Sequence, residues 1–410
     1  MLRVTEEIQD ALANIGEAMV LRKAHWNAFE HLGLPDRKLE DWKYSDLARY
    51  YGKFGIKAIK TTGVRIDKAF QSDENCYQLV MIDGVLCFDD LPETIKIHRR
   101  DRALEDRFFK HATGYLSQAA FIEGIDIVIA KGCKIDKPLI ITYVHSAASE
   151  VVNYANTIHV ETAADIDIYE CHVSVIVGDE YGAMNIHTHI RLDQAARCRF
   201  DLVEAKPSDR LLITSQIMAD IAKNAELDSF QLMAGDAFNR LDFIANLDQE
   251  GAVFKASGVY ALNGSRHNDI HCYVNHLASH TESDVHFRGL IDGNAKATFN
   301  AKAYVAKGIK GIKALQNNRN IQLSNTCEIN TKPELEIYSD DVICAHGATI
   351  GQLDKTALFY MQSRGIEKSQ ALKLLMEGFV REIINLLSRE DKTMASYSHQ
   401  LDALIHSLLD

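Results

Sequence analysis

The sequence predicts a mainly β protein, a solenoid of stacked strands between helical ends, on three observations. From about residue 125 to 350, short strand-like runs dominate: IDIVIA, PLIITYV, IDIYECHVSVIV, IHTHIRL, RLDFIANL, VFKASGVYAL, DVHFRGLI and ELEIY. Each is short and bounded by Gly, Asn or Asp. A second pattern overlies the first. A small residue after a polar one leads into a strand in TAADIDIYE, DQAARCRFD, KNAELDSF, QEGAVFKAS and GNAKATFN, at gaps of roughly 27 to 32 residues with one longer interval. Stacked coils want small residues where the chain corners. Third, the chain has only five prolines and no long helical period between 125 and 350. A β-sandwich also spaces its strands evenly and is the alternative on pattern alone.

The expected order is a mostly helical region with a few short strands over 1–124, the solenoid core over 125–350, and a helical region over 351–410. In the first, Ile8, Leu12, Ile15 and Met19 recur every three or four residues, and the pattern continues through HWNAFEHLGLP. Pro35 is placed to end that helix. The polar stretch LPDRKLEDWKYSDLARYY follows, then short strands in YQLVMIDGVLCF and a helix around LEDRFFKHATGYLSQAAFI. In the last region, Leu358, Met361, Ile366, Ala371, Leu374, Leu375, Phe379, Ile383 and Leu387 share one side, with Gly365 placed to split the run into two helices. Such a tail either caps the core or docks a partner.

Composition excludes several classes. The 410 residues carry a formal net charge of -12, which disfavours nucleic acid and anionic membrane surfaces as partners. The acidic N-terminus lacks an apolar signal region, and no run of about 18 apolar residues appears. Eight cysteines are scattered without a CxxC pair, as for reduced thiols in a cytoplasm. GxxxxGK[ST] is absent (VAKGIKGIKAL has the wrong spacing), as are GxGxxG after a strand, GxSxG and HExxH. No catalytic set is recognisable.

Two stretches carry metal-seeking side chains. In DDVICAHGATIGQLD (340–354), Cys344 and His346 are two apart, and in a strand they project to one face about 7 Å apart. Thiolate and imidazole suit zinc, iron or an iron–sulfur fragment. A closed tetrahedral centre needs four ligands, so others would have to come from another strand or chain. The competing reading is a packed free cysteine beside a histidine bonded to a carbonyl. The second stretch, RHNDIHCYVNHLASHTESDVHF, holds His267, His271, His276, His280 and His286 at spacings that spread them over both faces of a strand. These read as surface polar residues; His187 and His189 form a further i, i+2 pair.

Three segments resemble the SufB/SufD family of iron–sulfur cluster assembly proteins, on its SufD side. They are PDRKLEDWKYSDL (35–47), with Arg37, Glu40, Trp42 and Tyr44 matching; TKPELEIYSDDVICAHGATIGQLD (331–354); and FYMQSRGI (359–366) with the helical run after it. The resemblance spans nearly the whole chain. It implies a right-handed parallel β-helix flanked by helices, pairing with SufB through the β-helix ends, and docking of one SufC, an ABC-type ATPase, by the carboxy-terminal helices. It further implies that iron or a nascent cluster is handled transiently near the SufB–SufD junction, with His346 matching the implicated histidine and Cys344 the cysteine two before it. Ala345 and Gly347 flank the histidine where SufB-like chains resemble an acidic form, and QNNRN (316–320) carries no thiol. Both departures suit an accessory half. Trp42 and Tyr44 read as packing anchors. No residue pattern carries over a flavin site, and a further alternative is an inert structural homodimer built by the same edges when SufB is absent. The alternative is a stand-alone β-helix metalloenzyme or carbohydrate-active enzyme, which calls for a secretion signal and paired carboxylates that the sequence lacks.

Overall fold

The computed structural model describes residues 3–4, 17–51, 55–56, 75–105, 109, 111–146, 150–175, 179–204, 208–386, 401–406 and 408. Strand β1 (Arg3–Val4), helix α1 (Glu17–Leu32), a 3-10 turn (Glu40–Trp42), α2 (Leu47–Tyr51), β2 (Gly55–Ile56), β3 (Tyr77–Ile82), β4 (Val85–Asp90), β5 (Ile95–Arg100) and α3 (Ala112–Ala120) come first. The main run is β6 (Gly124–Ile129), β7 (Leu139–His145), β8 (Glu150–Val160), β9 (Asp165–Ser174), β10 (Gly182–Leu192), β11 (Arg197–Val203) and β12 (Leu211–Ile221). It continues through β13 (Glu226–Met233), β14 (Phe238–Leu247), β15 (Val253–Leu262), β16 (His267–His276), β17 (Glu282–Ile291), β18 (Lys296–Val305), β19 (Ile312–Gln322), β20 (Glu328–Ile337) and β21 (Val342–Gly351). Helices α4 (Lys355–Ser363) and α5 (Lys368–Leu386) follow.

The run forms a parallel β-solenoid of about eight turns, with about 51% of residues in strands. From β8 onward, even-numbered strands stack in one sheet and odd-numbered strands in the other, so each coil gives one strand to each. Leu212 pairs with Phe238 and Lys296 with Glu328, so one coil takes about 26 to 32 residues. The repeat read from sequence is therefore the coil. Its small residues sit at corners: Ala163, Ala195, Asn224 and Gly251 all take left-handed backbone, φ 57, 57, 54 and 75°. That conformation tolerates little beyond Gly, Asn or a small side chain. Each corner then bonds to the next, Ala163 N–H to the Gln194 carbonyl (3.0 Å) and Ala195 N–H to that of Lys223 (2.9 Å). The fifth instance, at Gly293, belongs to the opposite corner, which is why one interval was longer.

Alternate residues fill the lumen. Ile186, Ile190, Leu192, Leu241, Phe243 and Phe254 belong to one continuous apolar cluster there. The outer face of the even sheet is covered by the amino-terminal region, where Trp26, Phe29, Trp42, Leu47, Tyr51 and Leu116 pack on Val151, Ala183, Leu212 and Phe238. The outer face of the odd sheet is covered by α5, whose Met376, Val380 and Ile383 pack on Phe230, Leu232, Val259 and Leu290. Strands buried on both faces read as continuous apolar runs, as LLITSQIMADI does.

Three sequence readings are refined. Helix α1 ends at Leu32 because Gly33 (φ 69°) turns left-handed and its N–H bonds back to Phe29, two residues before Pro35 acts; Ile8, Leu12 and Ile15 lie outside the described residues. Gly365 (φ 86°) does separate two helices, α4 from α5. Finally, β3 and β4 form a hairpin turned at Asp83–Gly84, and β3 continues the odd sheet beside β7.

Candidate functional site

The two ends of the solenoid differ. At the first, β4 runs antiparallel on β3 and β5 antiparallel on β6, so each sheet gains a turned-back strand there. At the last, β20 pairs only with β18 and β21 only with β19 among the described strands, so both leave an edge free. Natural proteins usually blunt such edges with charge or proline. Strand β20 is blunted in this way. Its even-numbered residues bond to β18, as in Tyr338 N–H to Val305 (3.0 Å), so the absent N–H of Pro333 falls on the free edge. Strand β21, VICAHGATIG, has neither device.

Cys344 and His346 lie on this unprotected strand. Ile312 N–H bonds the Asp341 carbonyl (3.2 Å), so the alternating ladder turns the backbone groups of Val342, Cys344, His346, Ala348 and Ile350 toward the free edge. Their side chains continue lumen-facing rows: Cys344 stands beside Ala314 and His346 beside Gln316. Because no coil follows, Cys344 is half-buried and His346 exposed. Burial pushes the Cys344 thiol above its ordinary value, and a hydrogen bond with the Ala314 backbone pulls it partly back. A metal taken up there must therefore displace a proton. Among the described residues, no group of three or more His, Cys, Asp or Glu is placed to hold a metal ion, so the pair is at most half of a centre. Around it the end presents Ile343, 69% exposed, with Tyr338 and Ile350.

Beside this end, α4 is capped by Asp354, whose carboxylate accepts from Thr356 N–H (2.8 Å) and Ala357 N–H. None of its residues is buried, and Phe359 is 72% exposed with Tyr360 alongside.

The histidine-rich stretch behaves differently from the surface reading. His267, His271 and His276 are buried, and His280 and His286 reach solvent. His276 is held in the lumen by Thr281 (2.8 Å) and Ser283 (2.9 Å), and burial lowers it to about 4. His271 bonds Asp269 (2.9 Å) and Tyr273 (2.8 Å). His187 and His189 are buried too, the latter against Asp220 (2.9 Å). These are satisfied structural histidines.

They border a polar latch that the sequence reading missed. Arg240 bonds Asp242 through both oxygens (2.9 and 2.8 Å), Asp269 (2.8 Å) and the Asp41 carbonyl (2.8 Å), and lies 4.2 Å from the Trp42 ring centroid. Ser45 also donates to Asp269. Burial alone would raise Asp242, but the Arg240 guanidinium and His111 together outweigh it and hold the carboxyl well below the usual range. Trp42 is thus an anchor for the amino-terminal region, while Tyr44 is only half-buried. The charged pair alternating within FNRLDFIANL was the available signal. The same 3-10 turn reaches the last coil through Glu40 to Lys332 (3.0 Å).

Fold and site together define a parallel β-solenoid subunit whose last strand leaves an edge beside a thiol–imidazole pair. The family model described as SUF system FeS cluster assembly, SufBD core domain, matches residues 143–379. The chain belongs to this SufBD family of the SUF iron–sulfur cluster assembly system. It is 24% identical over 380 residues to the iron-sulfur cluster assembly protein SufD of Escherichia coli, covering 89% of this chain and 88% of that one. It is also 24% identical to a SufBD family protein of Synechocystis sp. (92% and 90% covered) and 22% identical to SufD of Bacillus subtilis (68% and 64%).

Proposed function

We propose that this chain is the SufD-type half of a heterodimer with a SufB-type paralogue, and that it presents His346 and Cys344 to iron or a nascent cluster passing through the junction. The observation that carries this is the free edge of β21. Its outward N–H and C=O groups belong to Cys344 and His346 themselves, so a strand added there lies directly beside the pair. The partner then supplies the remaining ligands. A thiol and an imidazole are soft enough to take iron and too few to retain it. Iron or the cluster is cargo here, and the chain performs no catalysis alone.

The exposed aromatic face of α4 is the docking surface for a SufC-type ATPase, which supplies the nucleotide chemistry absent from this sequence. Helix α5 anchors that surface to the odd sheet. All eight cysteines are free, as suits a reducing cytoplasm. Without the paralogue, the same edge pairs with a second copy.

The test is co-expression with both partners. His346→Ala should leave all three chains co-purifying and lower the iron and sulfide recovered with the complex. Undiminished cluster yield would remove His346 from the function.

A further inference from the structure

The lumen is not uniformly apolar. One inward row of the odd sheet pairs Tyr143 with His172, and later Met233 with Tyr260 and Gly289 with Asn320. Glu204 extends the row between them, its N–H on the Leu232 carbonyl (2.9 Å). Near this row, six atoms of buried side chains have no hydrogen-bond partner: Asn156 Oδ1, Glu170 Oε2, His172 Nδ1, Ser215 Oγ, Gln231 Oε1 and Asn268 Oδ1. All six residues are at least 97% buried. Their neighbours are engaged: Asn156 Nδ2 donates to Tyr143 Oη (2.8 Å), His172 Nε2 meets Glu170 Oε1 (2.9 Å), and Glu204 accepts from Asn239 and from Gly235 N–H (2.8 Å). Buried polar atoms in native proteins are satisfied by protein or by bound water. Six left dry would together cancel a large part of a domain's stability.

We infer that the lumen binds a file of ordered water beside the Tyr143–Asn320 row, with the Glu170–His172 pair as its most polar section. The oxygen-rich, partly acidic lining suits water, whose two donors and two acceptors match carboxylate, amide, hydroxyl and imidazole in turn. The solenoid is thus a hydrated tube at its centre and an apolar one at its flanks, and a carboxylate–imidazole pair is kept in contact with exchangeable protons far from the open end. This inference does not depend on the function proposed above.

Hydroxyl-radical footprinting of the full chain in solution tests it, because radiolysis of bound water oxidises the side chains that touch it. Tyr143 and Met233 should be oxidised about tenfold faster than the equally buried Tyr51 and Met376, which pack on the outer faces of the sheets and not in the lumen. Equal protection of all four would overturn the inference. A sign test complements it. If Ser215 holds water, Ser215→Ala lowers the melting temperature; if its hydroxyl is dry, the change leaves the melting temperature unaltered or raises it. In a high-resolution crystal structure, water peaks at Glu170 Oε2 and His172 Nδ1 would support the file. An empty lumen or a metal-sized peak there would contradict it.

Discussion

His346 shows how far a single residue could be understood from sequence. Its neighbours in DDVICAHGATIGQLD put it on a strand with Cys344, and the strand is there. What sequence could not supply is that the strand is the last of its sheet, because that depends on where coil stacking stops. Since His346 is exposed, His346→Ala should change unfolding free energy by no more than about 0.5 kcal/mol, which a urea titration would check. Buried residues respond in the opposite way. Removing the Arg240 guanidinium in Arg240→Leu leaves Asp242 and Asp269 buried without a counter-charge, and should cost roughly 3–5 kcal/mol by the same titration. His267 and His276 add a pH dependence. Both are lowered to about 4 by burial. The unfolded chain takes up protons on them below about pH 6.5 while the folded chain resists to about pH 4. Their contribution is therefore complete above pH 6.5 and shrinks as pH falls toward 4, by up to roughly 3 kcal/mol each. His276→Gln should flatten that acid slope in thermal melts between pH 4 and 6.5; an unchanged slope would refute the assignment. None of these burials was legible beforehand, because parity along HNDIHCYVNH says which histidines share a face and not what covers it.

Among the elements, the corners were the most legible. TAAD, DQAA and KNAE marked them because left-handed backbone and tight stacking both demand small or permissive residues, a local requirement that leaves a local trace. The split at Gly365 was legible for the same reason. The covering of both sheets was not, since it arises from contacts far apart in sequence, such as Trp42 with Arg240. Strand β21 yields a prediction that separates edge from ladder. The N–H of Ala348 faces the free edge, whereas that of Thr349 belongs to the β19 ladder. Ala348→Pro should keep the melting temperature of the isolated chain and abolish strand pairing with a partner. Thr349→Pro should lower both, since it costs an internal hydrogen bond. Analytical ultracentrifugation beside thermal melts distinguishes the two variants.

For the whole molecule, the account is of a solenoid covered on both outer faces, whose last strand β21 leaves an edge without charge or proline beside a thiol–imidazole pair. Fold class and repeat length were readable because each coil repeats the same physical problem. The open end was readable only through family resemblance, since pairing to another chain leaves no periodic mark. The most direct measurement is hydrogen exchange of the Val342–Gly351 amides, alone and after mixing with a SufB-type paralogue. The account predicts that the amides of Val342, Cys344, His346, Ala348 and Ile350 exchange freely in the chain diluted to a monomer and slow by about a hundredfold or more on mixing. Unchanged exchange at those five positions, with the two chains bound to each other, would contradict it.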